Sequence, residues 1–250
     1  MKRILIVSLL LFATTSFALD SIPDGTILPV KLNSSLNSRK TKAGQKISAT
    51  LAQDVPLASG SKIHARSKLT GHVIAVTPAG KGAGAQLTFQ FDTLQVAGQP
   101  ISVTTDLRAL ASMMEVFEAQ LPKTGADRGT PENAWATEQI GGETDYHGGW
   151  PVTHGPEVVG QSLLSGGVLA RVSSKIGSKC RGEIADNNQP QALWVFASDA
   201  CGTYGFEDLS IAHAGRTAPV GQIVLTSEKR DIDIRGGSGF LLRVTGGGRE

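Results

Sequence analysis

The sequence predicts a mainly β protein, a distorted β-barrel or sandwich with one amphipathic helix and one long Gly/Pro-rich loop. Three observations support this fold class. Apolar and polar residues alternate in several short segments, beginning with Leu28, Val30 and Leu32, and a period of two is typical of half-buried strands. The chain has 30 Gly and 11 Pro, which favour many turns. Good helical periodicity is confined to one segment.

Residues 1–18 have the features of a secretory signal peptide. Lys2 and Arg3 precede a short apolar stretch, and small residues stand where cleavage after Ala18 requires them. The apolar stretch is too short to span a bilayer. We therefore expect residues 19–250 to form a single mature domain that is periplasmic or secreted, without a transmembrane helix. Association with the outer membrane is one version of this hypothesis.

The charge balance argues against a nucleic-acid partner. The chain has 24 Lys and Arg against 22 Asp and Glu, and two of the basic residues, Lys2 and Arg3, belong to the predicted signal. The mature chain would be neutral. A neutral chain without a basic run offers little to a phosphate backbone.

Two parts of the chain, 22–105 and 219–245, carry the predicted barrel strands. Pro29 lacks a backbone donor, which predicts an edge or a barrel seam at the first strand. A slip in the alternation after Phe91 predicts a β-bulge near Asp92–Thr93. The closing segment has the pattern of a hairpin, and we expect the first and last strands to belong to one barrel.

Residues 106–121 form the helix candidate. Asp106 is a suitable N-cap, and Pro122 would end the helix. One stripe of apolar side chains recurs at helical spacing: Leu107, Leu110, Met114, Phe117 and Leu121. The stripe predicts packing against the sheet or across a barrel end, and a helix that touches a membrane or a partner is the alternative.

Residues 122–167 are predicted to form a long excursion over the surface of the barrel. Gly and Pro are frequent there, and long loops in compact domains are often functional. Aromatic and histidine side chains in this segment are candidate ligand-binding residues, because such rings stack on sugars or peptides. The candidates are Trp135, Tyr146, His147, Trp150 and His154. Anchoring of the loop to the domain is the structural alternative.

Four side chains of the same segment have the donor types of a zinc site: Glu143, Asp145, His147 and His154. No regular element fixes their spacing in the sequence, so we predict no metal site and no cofactor. Motifs for metalloproteases, nucleophile elbows and redox Cys pairs are absent from the sequence. No catalytic residue is therefore predicted.

Residues 168–218 are predicted to form an insertion that contains a disulfide. The sequence has two cysteines, Cys180 and Cys201. Both follow the predicted signal, and export favours their oxidation to one bond. Within this insertion, the apolar run Leu193–Ala197 predicts a strand covered on both faces.

The opening segment resembles the TrbI-like family, the outer-membrane-complex scaffold subunits of conjugation and type IV secretion machines. The resemblance lies in Gly-Thr-x-Leu-Pro-Val-x-Leu-x-Ser-x-Leu (25–36), Ala-Gly-Gln (43–45), Ala-Gln-Asp-Val (52–55), Gly-Ser-Lys (60–62) and Leu-Thr-Gly-His-Val (69–73). The closing segment 231–244 looks like the paired strands that end the family's domain. The resemblance implies a distorted barrel with a helical insertion, assembled into a ring, and this chain would be a stand-alone, divergent relative.

Two functional hypotheses follow from these observations. In the first, the protein is an exported, non-enzymatic scaffold or binding protein that contacts envelope proteins or associates with itself in a ring. The alternative is an envelope hydrolase or carbohydrate-binding protein with its site on residues 122–167.

Overall fold

A computed structural model describes residues 21–123, 130–173 and 189–246. The predicted signal peptide and Cys180 lie outside the described residues. The mainly β fold class is confirmed, with 47% of residues in strands and 4% in helices. Within the described ranges, no helix is long and apolar enough to cross a membrane.

Twenty strands, β1 to β20, are present in the described residues. In chain order they are Ile27–Leu32, Leu36–Asn37, Lys46–Leu51, Val55–Pro56, Lys62–Ile63, Lys68–Thr77, Ala85–Val96, Gln99–Ser102, Thr105–Ala111, Ala136–Glu138, Thr144–Tyr146, Pro151–His154, Glu157–Ser162, Val168–Ala170, Gln191–Ala192, Gly202–Tyr204, Leu209–His213, Ile223–Ser227, Asp233–Ile234 and Gly239–Val244. One α-helix, α1, covers Met113–Glu118, and Glu132–Ala134 form a 3₁₀ turn.

Ten strands form a nearly closed, barrel-like sheet, which we call the barrel sheet. Its order is β16-β9-β20-β1-β3-β6-β7-β18-β17, with β8 added on β7. The two terminal strands, β16 and β17, meet where the Thr203 hydroxyl donates to the Leu209 carbonyl at 2.9 Å. The Leu107 N–H also donates to the Ala214 carbonyl at 2.8 Å. These bonds bring the two edges together and leave few open strand edges.

The first and last strands belong to one barrel, as expected, because β1 pairs with β20 from Ile27–Arg243 to Lys31–Gly239. The edge or seam position predicted for Pro29 is wrong, since β1 lies between β20 and β3 and the two ends of the barrel sheet are β16 and β17. Pairing with β3 begins only at Val30. The missing N–H of Pro29 therefore falls just before this ladder, where the Pro29 carbonyl still accepts from the Ala52 N–H at 2.9 Å.

The bulge predicted near Asp92–Thr93 is confirmed. Thr70 of β6 is opposite Thr93 of β7, but the next residue, Gly71, is opposite Phe91. Asp92 is the extra residue of the bulge. A Cβ at Gly71 would lie 1.9 Å from the Gln90 carbonyl oxygen, so the two backbones approach here as only a glycine permits.

The helix predicted over 106–121 is wrong in its first half. Residues 105–111 form β9, and the side chain of Asp106 accepts hydrogen bonds from Arg243 of β20 instead of capping a helix. Ser112 is the true N-cap, since its hydroxyl accepts from the Glu115 N–H. The ladder to β20 overrides the helical spacing of Leu107 and Leu110.

The long loop predicted over 122–167 is also wrong, because much of it is a meander of short strands. β10 to β15 form a six-stranded sheet in chain order, which we call the second sheet. Glycines with positive φ lie in its turns, for example Gly148 and Gly155. The same glycines that suggested a loop thus mark tight hairpins. In the predicted insertion 168–218, β16 and β17 belong to the barrel sheet.

Two hydrophobic cores explain how the sheets pack. The first fills the barrel, where Phe89, Phe91 and Phe240 make edge-to-face contacts with centroids 5.9–6.1 Å apart. The second lies between the outer face of the barrel, including Ile27 and Leu241, and the second sheet. Strand β9 is buried at every residue because it faces both cores.

Buried polar side chains fasten the second sheet to the barrel sheet. The Gln53 amide donates to the Val168 carbonyl at 3.0 Å, and its oxygen accepts from the N–H groups of Val168 and Trp194. Arg108 is fully buried and donates to the carbonyls of Ser173, Ser198 and Ala200. Any shift of the second sheet would break these bonds and leave buried polar groups without partners, which is costly. The bonds therefore fix the position of the second sheet.

Burial lowers the pKa of Arg108 to about 10, and the carbonyl oxygens around it stabilise the guanidinium that remains charged at neutral pH.

Cys201 is buried and is not a free thiol. Its proposed partner, Cys180, is outside the described residues, so the pairing stays a prediction.

Candidate functional site

The second sheet brings four of the five candidate ligand-binding residues together. Trp135 precedes β10, Tyr146 ends β11, and Trp150 precedes β12. The β10–β11 pairing and a hydrogen bond from the His147 N–H to the Trp135 carbonyl hold these segments side by side. Their side chains line a shallow cavity of about 470 Å³, which we call the aromatic cavity.

The fifth candidate, His154, does not join the aromatic cavity. It ends β12 and is exposed, with Nδ1 4.0 Å from Oε1 of Glu143. Glu143 is itself fully buried and accepts hydrogen bonds from the Ser198 N–H and hydroxyl. Burial raises the pKa of Glu143, and the bonds from Ser198 oppose this shift. The Glu143 side chain therefore fixes Ser198 against the second sheet.

The four side chains considered for zinc separate into two pairs. Glu143 lies near His154, and Asp145 lies near His147. Among the described residues, no three His, Cys, Asp or Glu side chains converge as metal ligands. Zinc sites need three or four ligands in one tetrahedral arrangement, and these pairs do not supply it.

A second cavity of about 650 Å³ adjoins the aromatic cavity, and we call it the polar cavity. Thr137, Gln139, Asp145 and His147 contribute polar side chains from β10 and β11 and the residues after them. Ala119 and Gln120, which follow helix α1, and the turn 163–167 also line it. Asn133 and His147 line both cavities, so the two are neighbours.

Asp145 is the buried charged group of the polar cavity. Its Oδ2 lies 3.5 Å from Nε2 of His147, which is also 3.0 Å from the Thr137 hydroxyl. Burial raises the pKa of Asp145, while His147 and the Ser162 hydroxyl act in the opposite direction. Ionising a carboxyl group in this buried position is costly.

Three buried polar atoms around the cavities have no hydrogen-bond partner among the described residues. They are Oε1 of Gln139, Oδ1 of Asp145 and Nε1 of Trp135. Buried polar atoms are nearly always paired in folded proteins. Two unpaired acceptors and one unpaired donor in adjoining cavities indicate a place for a ligand or ordered water.

The cost of the buried carboxylate gives a testable pH dependence. The folded state raises the pKa of Asp145, so the protonated carboxyl group stabilises the fold. This stabilisation is fully present below the unfolded-state pKa of Asp145, and it is lost as the pH rises through the raised folded-state pKa. We expect Asp145→Asn to have a higher melting temperature than the wild type at pH 7, with the difference vanishing below about pH 4. Calorimetry of both proteins across this pH range tests it; a lower melting temperature of the variant at pH 7 would contradict it.

Helix α1 and the second sheet also carry most of the exposed apolar side chains. Seven of the eight exposed large hydrophobic residues in the described ranges lie between 114 and 164: Met114, Phe117, Leu121, Tyr146, Trp150, Val158 and Leu164. We call these seven residues the apolar surface. Helix packing predicted for the stripe containing Met114, Phe117 and Leu121 is wrong, because Val116 faces the core instead.

The polar cavity and the apolar surface were not recognisable from the sequence as sites. Gln139 carries no motif, and Asp145 stood out only as a metal-ligand type. The strand β9 sets where the helix begins and so which of its faces is exposed. The sequence signal for this helix start is Ser112, a good N-cap three residues before Glu115. That signal predicts which helix face is exposed and so part of the apolar surface.

Comparison with known proteins gives no family assignment. No protein-family model matches the sequence, and no curated protein matches it significantly. The functional argument therefore depends on the site itself.

Proposed function

We propose that the protein is an exported, non-enzymatic scaffold or binding protein of the cell envelope, and that it contacts a protein partner through the apolar surface. The observation that carries the proposal is the concentration of exposed large hydrophobic side chains on α1 and the second sheet. Large exposed apolar side chains that are concentrated in one part of a fold are typical of interaction sites. The barrel sheet, by contrast, serves as the support.

The charges around the apolar surface favour a protein over a lipid bilayer. Helix α1 carries Glu115 and Glu118 and no basic residue. Lys123, which follows the helix, is paired with Glu138 of the second sheet. Surfaces that bind anionic membranes are rich in Lys and Arg. This surface is acidic, so a partner protein with basic residues is the better match.

The TrbI-like resemblance supports the scaffold version of the proposal. Its two segments, 22–105 and 219–245, hold β1 and β20, which are neighbours in the barrel sheet. The implied assembly into a ring is part of the proposal. Light scattering on the mature protein after size-exclusion chromatography tests self-association, and a strict monomer would restrict the proposal to contacts with other proteins.

A pair of matched substitutions tests the binding surface. Phe117 and Val220 have the same exposed fraction, 54%, but Phe117 belongs to the apolar surface and Val220 does not. We expect Phe117→Ser to weaken binding to the envelope partner by at least about tenfold, because the variant loses an aromatic contact that the bound partner would bury. Val220→Ser is the control and leaves affinity unchanged. Affinity is measured by titrating each purified variant against the partner recovered by cross-linking with the wild type; equal affinities would contradict the proposal.

The aromatic cavity favours a second candidate, a carbohydrate-binding protein or envelope hydrolase. Trp135, Tyr146 and Trp150 offer ring faces of the kind that stack on sugars. Binding of peptidoglycan fragments to the wild type, and its loss in Trp150→Ala, would support this candidate. Release of a reducing end from the same fragments would distinguish a hydrolase from a binding protein.

A further inference from the structure

We infer that the polar cavity is a binding site for an organic cation, the ammonium or guanidinium group of a Lys or Arg side chain presented by the partner. The inference rests on the proposed protein contact and names the chemistry that this contact recognises. The apolar surface borders the cavity, since Leu164 lines it and the residues just after helix α1, Ala119 and Gln120, line it as well.

The charge of the cavity selects a cation. Its lining contains two carboxylates, Glu132 and Asp145, and no Lys or Arg. His147 is the nearest group that can carry a positive charge, and it lies 3.5 Å from Asp145. A buried carboxylate is stabilised by an opposite charge within hydrogen-bonding distance. An anionic ligand would meet only repulsion from the same two groups.

The unpaired atoms require a ligand that donates hydrogen bonds. The Gln139 amide group is oriented by its NH₂, which donates to the Trp194 carbonyl at 3.3 Å. A flipped amide would place Oε1 of Gln139 against the Trp194 carbonyl oxygen, two acceptors facing each other. Oε1 of Gln139 is therefore a true unpaired acceptor. Together with Oδ1 of Asp145 it offers two acceptors, and an ammonium or guanidinium group supplies several donors.

The aromatic cavity fits the remainder of a peptide. It shares Asn133 and His147 with the polar cavity and offers apolar ring faces to the neighbouring side chains. Nε1 of Trp135 is a buried donor without a partner among the described residues. A peptide carbonyl can accept from this group, so the adjoining cavities match a basic side chain and the backbone next to it.

The test uses two small probes that differ by one ammonium group, which supplies both the charge and the hydrogen-bond donors. N-acetyl-lysine methylamide is titrated into the mature protein and followed by NMR, with N-acetyl-norleucine methylamide as the uncharged probe. We expect saturable shifts at Gln139, His147 and Trp135 for the lysine probe only. Asp145→Asn should weaken this binding at least about tenfold, which corresponds to about 1.4 kcal/mol.

Asp92→Asn is the matched control variant, because Asp92 also lies beside a histidine, His72, at 3.0 Å, but on the barrel sheet. It should bind the lysine probe like the wild type. Melting temperatures of both variants establish that they are folded.

Three results would overturn the inference: no binding of the lysine probe, equal binding of the norleucine probe, or unchanged binding by Asp145→Asn. Binding of a neutral sugar at the same residues, without the lysine probe, would assign the cavity to a carbohydrate. These outcomes are independent of the partner titration with Phe117→Ser. Failure of the cation site therefore leaves the proposed protein contact separately testable.

Discussion

Replacing Gln53 with leucine should destabilise the protein by about 3 kcal/mol or more. The side chain is 3% exposed and pairs with both backbone groups of Val168 and with the Trp194 N–H. Leucine has a similar volume but would leave these three groups buried without partners, each at a cost of about 1–3 kcal/mol. Urea denaturation followed by tryptophan fluorescence measures the loss.

Gln86→Leu is the control for this substitution, because Gln86 is exposed on β7 of the barrel sheet. Its effect should stay within about 0.5 kcal/mol. The Gln53 variant should also lose its selectivity for the lysine probe, since Val168 and Trp194 adjoin the polar cavity. Equal stability of the two variants would show that Gln53 does not fasten the second sheet to the barrel.

Replacing Gly71 with alanine should be at least as damaging, about 3 kcal/mol or more. The added Cβ would lie 1.9 Å from the Gln90 carbonyl oxygen and 2.7 Å from the Phe91 Cα, both in the backbone of β7. No side-chain rotation relieves this clash, so β6 and β7 must separate at the bulge. Thermal and urea unfolding of the purified variant measure the effect.

Gly80→Ala is the matched control in the connection between the same two strands. A Cβ at Gly80 would meet no atom within 4 Å. This substitution should be neutral or slightly stabilising, because alanine restricts the unfolded chain. If Gly71→Ala were as stable as Gly80→Ala, the close approach of β6 and β7 would not exist in solution.

The barrel was predictable from the sequence because its strands are long and alternate regularly. Leu28, Val30 and Leu32 all face the first core, and the break in alternation at Asp92 marked the real bulge. These signals are local and need no knowledge of partners. Membership of the first and last strands in one barrel was also predicted, since both terminal segments carried strand patterns, but their direct pairing was not.

The predictions that failed depended on tertiary contacts. Leu107 and Leu110 have helical spacing with Phe117, but pairing with β20 makes the first two part of a strand. Strands of three residues, such as β10 and β11, are too short to show alternation. The apolar run at 193–197 is buried as predicted, but it is a turn with Trp194 at φ 54° and a single bridge from Phe196 to Ile140.

The candidate site was predictable in its aromatic residues and not in its polar ones. Trp135, Tyr146 and Trp150 were singled out by residue type, and the second sheet brings them together. Gln139 acquires its meaning only from burial and from the missing partner of its oxygen. Burial of one particular amide depends on how the two sheets pack, which no local pattern encodes.

Site-specific photo-cross-linking in living cells tests most directly the central claim, that the apolar surface is the contact surface. A photoreactive residue is placed at Phe117, at Leu164 or, as the control, at Val220, all of which are exposed. We predict that the first two positions give an adduct with the same protein and that position 220 gives none. Adducts from position 220 alone, or none at Phe117 and Leu164, would contradict the account.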